Sequence, residues 1–393
     1  MRQRDQTRSS VAFLQRKLKL YYVASGFIFI FFLFNSASLY KASRSSVGDA
    51  HEKSEDRPLI CYSDTCIEAQ AAKLARVWTP RPLHHWCLSS SENESAETND
   101  DNVTTGLWLI KVPKSASSTV AGLVLRIAEL HRCSMRWQHA KAVDVLSAPH
   151  NRSQTFSIAP IRHPHARTLS SVYYHTVSLR SRPLDGGKPA DSHVIRQLDR
   201  VENNYISDYT RVSTESLDPR QTVREILQHY DFLLVVEDME ASLVVFAWLA
   251  DLSLSDVLIM SSKSSGSWYA TGRKCVPLIP PQVTPAVEEY WKTKGLTLHY
   301  TDRLLHAAAR QSLEQTIEQG MGRALFTERL QAFRQLQAAV QDACAATMNE
   351  SAPCSPTGVY QPEKAKEACY LRDFGCGHRC VNEAVQKYNL ASE

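Results

Sequence analysis

Two hydrophobic patterns divide the chain. Residues 20–40, LYYVASGFIFIFFLFNSASLY, carry no charged side chain, and a stretch of that length and composition predicts a helix able to cross a bilayer. From residue 106 onward, short apolar runs alternate with stretches of helical spacing, which predicts βα units around a parallel sheet. Strands are expected at 107–112, 155–162 and 230–238. After the first, Val120, Leu123, Val124 and Ile127 fall on one helical face. After the second, a helix opens at Pro164, a residue suited to a first turn, and carries the stripe Leu169, Val172, Tyr173 and Val177. Pro160 belongs near the end of its strand, because it lacks a ladder donor. After the third, 239–252 is apolar on nearly every side, which predicts burial. Residues 303–343, rich in Ala, Leu, Gln and Arg at helical spacing, predict one or two long helices. The polar run SSSENESAETNDDN, 89–102, has no apolar period, so 41–104 reads as a stem.

Charge adds an orientation. Arg2, Arg4, Arg8, Arg16, Lys17 and Lys19 precede the apolar segment, predicting a cytoplasmic N-terminus with the rest of the chain on the far side, a type II signal-anchor topology. A cleaved signal peptide is the alternative, since SAS at 36–38 is a small-residue site, but the long basic n-region argues against it. All ten cysteines lie beyond residue 60, as do sequons at Asn93, Asn102, Asn151 and Asn349. Both suit an oxidising lumen and point to a Golgi membrane enzyme. The formal charge of +4 is too small for bulk nucleic-acid binding. His378 between Cys376 and Cys380 fits zinc, but disulfides are the expected use in a lumen.

The chemistry concentrates in two loops. In KVPKSASSTV, 111–120, Lys114 offers a point charge, and Ser115, Ser117, Ser118 and Thr119 offer hydroxyls. The small Ala116 lets backbone approach an anion at a helix N-terminus. Lys111 sits just before the turn, either to assist or as a flank. The loop lacks the glycines and metal-binding Asp of triphosphate chemistry, which disfavours a kinase or ATPase. In APIRHPHARTLSSVYYH, 159–175, Arg162 closes a strand and Ser170 lies two turns into the next helix, a pairing suited to a second phosphate. Residues 180–220 add Arg180, Arg182, Lys188, Arg196 and Arg200, either a solvated insertion or an acceptor contact.

These two segments resemble those of the Golgi carbohydrate sulfotransferases. KVPKSASSTV is similar to their 5′-phosphosulfate loop and IRHPHARTLS to their 3′-phosphate segment, with Arg162 and Ser170 at the matching positions. The galactose 3-O-sulfotransferases are most alike, and the heparan sulfate and uronyl 2-O-sulfotransferases share a VPK-[ST]-A-S core. The likeness continues in YDFLLVVEDMEASLVV, 230–245, and omits the stem and tail. It implies an α/β, P-loop-NTPase-like three-layer sandwich with a central parallel sheet, preceded by a single transmembrane helix and stem. The implied division is a tail at 1–19, an anchor at 20–40, a stem at 41–104, a catalytic domain at 105–340 and a Cys-rich extension at 341–393. It also implies 3′-phosphoadenylyl sulfate, PAPS, as donor, without a metal. Lys111, Lys114, Ser115, Ala116, Ser117, Ser118, Thr119, Arg162 and Ser170 would hold the donor. The acceptor would be a hydroxyl of a galactose- or uronic-acid-containing glycan, on a glycoprotein, glycolipid or polysaccharide.

An acceptor hydroxyl needs a general base, and a near-neutral group favours histidine. His131, His139 and His150 lie between the motifs. His139, in WQHAKA, resembles the HA segment of the galactose 3-O family and is the expected base; His163 and His175 are expected to be structural. Two other readings remain: a type II glycosyltransferase, for which no apolar-flanked D-x-D site stands out, and an inactive lumenal glycan-binding protein.

Overall fold

The computed structural model describes residues 62–87, 104–143, 150–180, 189–213, 218–261, 266–364 and 378–388. Its centre is a four-stranded parallel sheet in the order β2-β1-β3-β4, formed by β1 (Thr104–Ile110), β2 (Met135–Gln138), β3 (His150–Ile161) and β4 (Phe232–Val235). The first strand ends before Lys111, earlier than its apolar run suggests. Pro160 pairs with Leu234 of β4 but lies beyond Ile158, where the register with β1 stops. It therefore sits near the strand end, where a missing donor costs least. Gly106, at φ +89, is required in β1: a Cβ there would stand 2.0 Å from the Ser134 carbonyl oxygen.

Helices follow the strands. β1 runs through a loop into α2 (Ser117–His131), β3 into α3 (Pro164–Val172), and β4 into α7 (Met239–Ala250). Leu243 to Ala247 of α7 are wholly buried, as an all-round apolar helix requires. Between α3 and β4 lie α4 (Asp191–Leu198), α5 (Tyr205–Thr210) and α6 (Pro219–His229), the last capped by the Asp218 carboxylate with Pro219 at its first position. Val194 and Leu198 of α4 join Leu169, Val172, Tyr173 and Val177 in a second core, so this part of the basic insertion is packed. A hairpin of β5 (Trp268–Thr271) and β6 (Lys274–Pro277) precedes α8 (Pro285–Tyr290). The long helical stretch divides at Gly322, φ +89, into α9 (Tyr300–Gln315), with a π turn to Met321, and α10 (Arg323–Ser351); α11 (His378–Lys387) follows. Although polar on average, residues 62–87 carry α1 (Asp64–Ala72) and bury Ile67, Ala71, Trp78 and Trp86 in the main core.

Cysteines pair as Cys87–Cys133, Cys275–Cys354 and Cys344–Cys380. No cluster of metal-ligating side chains occurs among the described residues.

The α/β class with a parallel sheet stands, but the finer expectation is corrected. A P-loop-NTPase-like fold is not indicated: the turn after β1 has no glycine wrap, and Lys114 and Ala116 take left-handed conformations instead. Among the described residues no helix is long and apolar enough to cross a membrane. The most apolar, α7, has 12 residues, about 18 Å at 1.5 Å each against a hydrocarbon core of about 30 Å. The longest, α10, is interrupted by charge throughout. The expected anchor, 20–40, lies outside the described residues. The single-pass type II topology, the Golgi membrane localisation and the membrane as a partner are therefore withdrawn.

Candidate functional site

Parallel pairing of β1 with β3 brings the turns after both strands side by side at one sheet edge, where open α/β sheets take ligands. The contact is direct: Arg162, just past β3, donates from Nη1 to the Lys114 carbonyl at 3.2 Å. Lys114 and Ala116 adopt φ +66 and +53, conformations that cost a non-glycine residue of order 1 kcal/mol or more each and persist only where the surroundings enforce them. Between them lies Ser115, 0 % exposed, whose Oγ has no hydrogen-bond partner. Ala116 is the N-cap of α2 and has no side chain able to close the first turn. A wholly buried unpaired hydroxyl beside an uncapped helix N-terminus is the arrangement that an anion would complete.

Two lysines flank this cradle in different states. Lys114 is half-buried, with Nζ 3.5 Å from the centroid of the Tyr174 ring. Lys111 is wholly buried, with Nζ 4.4 Å from the Trp137 ring, and burial pushes its amine down to about 8. It is no exposed flank. Its carbonyl lies 3.2 Å from Nδ1 of His139. A carbonyl only accepts, so this bond places the proton on Nδ1 and makes Nε2 the basic nitrogen of the exposed imidazole. Of the other histidines between the motifs, His131 pairs with Asp256 at 3.3 Å at the opposite end of α2 from the loop. The His150 side chain is outside the described residues.

Arg162 is held from behind. Burial lowers its pKa, and Glu237, 4.0 Å from Nε, opposes that shift. Glu237 ends the segment after β4 and accepts from the His163 backbone N–H and from His306 Nε2, both at 3.0 Å. Burial alone would raise its pKa, but the His306 hydrogen bond and charge, with the His163 N–H, hold the carboxyl below its ordinary value. Ser170 is half-buried on α3, one helical turn before Tyr174. The structure thus joins Lys111, Lys114, Ser115, Arg162 and His139 through direct contacts or chain neighbours. Ser170 lies on α3, which begins just after Arg162, and no hydrogen bond joins the two side chains. Ser117 and Thr119 are buried in the first turn of α2, and Ser118 is half-buried.

Sequence reasoning missed Tyr174, Trp137, Glu237 and His306. Glu237 carried a signal, an acid closing a buried strand at the ligand edge; His306, far along the chain, carried none.

Behind Arg162 lies a group of packed imidazoles. His163 contacts His306 and His165, and His165 stacks on Trp291 at 4.2 Å and 8°. Burial, followed by neighbouring charges, pushes His163 and His299 down to about 4 and His165 to about 3. Ordinary histidine titrates near 6.5, so between those values and 6.5 the unfolded chain binds more protons than the folded one. Stability contributed by the neutral rings is complete above 6.5 and falls as the pH drops towards 4. Urea unfolding is expected to show at least about 2 kcal/mol less stability at pH 4.5 than at pH 7. His165→Phe keeps the stack but not the titration and should shrink that loss; an undiminished loss would assign it to other groups.

The chain matches no family model, no curated protein and no solved structure. None of these comparisons therefore supplies the expected sulfotransferase family or a glycan, glycoprotein, glycolipid or polysaccharide partner, and those partners are not carried forward.

Proposed function

We propose that the protein transfers a sulfuryl group from PAPS to an acceptor hydroxyl. The observation that carries the reading is the cradle itself: the buried, unpaired Ser115 hydroxyl at the N-terminus of α2, with Lys114 beside it and Arg162 fastened to the Lys114 carbonyl. Residues 114–119 would receive the 5′-phosphosulfate, and Arg162 with Ser170 the 3′-phosphate. A sulfuryl group carries less negative charge than a phosphoryl group, so lysine, hydroxyl and backbone donors suffice for its in-line transfer. His139 Nε2 takes the acceptor proton as the new S–O bond forms. The bond from sulfur to the phosphate oxygen breaks, and Lys114 with the positive end of α2 meets the charge left on that oxygen. The resemblance of the two motifs to sulfotransferase segments supports the choice of PAPS over other bisphosphates.

The first test is ligand-induced stabilisation of the full chain. 3′-Phosphoadenosine 5′-phosphate, PAP, at a hundred times its dissociation constant adds about 2.7 kcal/mol and should raise the melting temperature by a few degrees. A shift with UDP and none with PAP would replace this reading with nucleotide-sugar chemistry. Labelled PAPS with a panel of sugar and phenol hydroxyls then identifies the acceptor.

A further inference from the structure

We propose that Tyr174 is the positioning residue for Lys114, holding its ammonium at the anion cradle before any ligand arrives. The inference rests on the function proposed above and extends it to a residue outside both phosphate-binding motifs.

The geometry has three parts. Lys114 Nζ lies over the Tyr174 ring at 3.5 Å from its centroid, within the range where a ring face attracts a cation. Tyr174 stands in the π-helical turn Tyr173–Ser178, which continues α3 with one extra residue per turn. Such turns change the direction of the side chains that follow. Here neighbouring tyrosines have opposite uses: Tyr173 is buried in the second core, while Tyr174 is half-buried against Lys114. Finally, Tyr174 meets Tyr269 of β5 in a T-shaped ring contact, centroids 5.8 Å apart, and β6 is tied through Cys275–Cys354 to the segment after α10. The segment after β3 therefore grips the first loop twice. Arg162 holds the Lys114 carbonyl and Tyr174 holds its amine.

A free lysine side chain samples many rotamers, and settling it on a developing charge is costly. A fixed ring face removes that cost before the reaction begins. It is also a neutral partner: unlike a carboxylate, it leaves the positive charge available to an anion.

The test compares Tyr174→Phe, which keeps the face, with Tyr174→Leu, which removes it, in full-length protein whose melting temperature is checked first. Two measurements are made. Acylation by an amine-reactive ester, followed by peptide mass spectrometry, reports Lys114 against the exposed Lys292 in the same molecule. In the unaltered protein and the Phe variant, Lys114 should label more slowly than Lys292, and in the Leu variant it should approach it. With PAPS, the Leu variant should lose about tenfold or more in kcat, with PAP affinity changed less than threefold, and the Phe variant should retain most activity. Unchanged Lys114 labelling in the Leu variant, or equal loss of kcat in Phe and Leu, overturns the proposal. If labelling responds as stated but the unaltered protein neither binds PAP nor turns over PAPS, the positioning contact stands and the sulfuryl-transfer reading fails.

Discussion

Lys114→Ala is expected to lower turnover by about 10²- to 10³-fold, the range for removing one preorganised donor from a developing oxyanion, or about 2.7–4 kcal/mol. The position permits a clean experiment. Lys114 has φ +66, a conformation in which the strain arises from Cβ and the backbone, and alanine keeps Cβ. The substitution therefore removes the ammonium without changing the conformational cost of the turn. Lys114→Gly supplies the complementary result: it relieves the left-handed strain and should be no less stable than Lys114→Ala, yet equally inactive. Single-turnover measurement with PAPS decides the point. Turnover near that of the unaltered protein in either variant would remove Lys114 from the chemistry. Stability of the Gly variant well below that of the Ala variant would show that the turn is not strained.

How much of this site could be read from residues alone depends on the range of each contact. Lys114 and Arg162 were legible because both follow apolar runs that form adjacent strands, and strand ends gather at one edge of a parallel sheet. The buried state of Lys111 was not, since the strand stops two residues earlier than its hydrophobicity suggests and Trp137 of β2 supplies the cover. Tyr174 was hidden by the π turn, where a strict 3.6-residue period no longer gives each side chain's direction, although Val177 keeps its expected burial. Glu237 and His306 meet across 69 positions, a contact no local pattern encodes. Residues 62–87 read as stem because Ile67, Trp78 and Trp86 follow no period, yet each is buried. The membrane topology was drawn from a segment outside the described residues, and no described helix supports it.

His139→Ala should abolish turnover while leaving PAP affinity within about threefold of its original value, because a base acts on the acceptor proton and makes no claim on the donor nucleotide. Alanine alone leaves an ambiguity, since His139 also binds the Lys111 carbonyl through Nδ1, and losing that bond could loosen the cradle. His139→Asn separates the two roles. Its amide nitrogen reaches about as far as Nδ1 and can donate to the same carbonyl, but it offers no basic lone pair. Asn and Ala variants should therefore be equally inactive, and imidazole added to the Ala variant should restore part of the rate. An active Asn variant would reduce His139 to a structural hydrogen bond. Loss of PAP binding in a folded Ala variant would place it in the nucleotide site. In either case another group would have to take the proton, and among the histidines between the two motifs His131 is committed to Asp256 at the opposite end of α2.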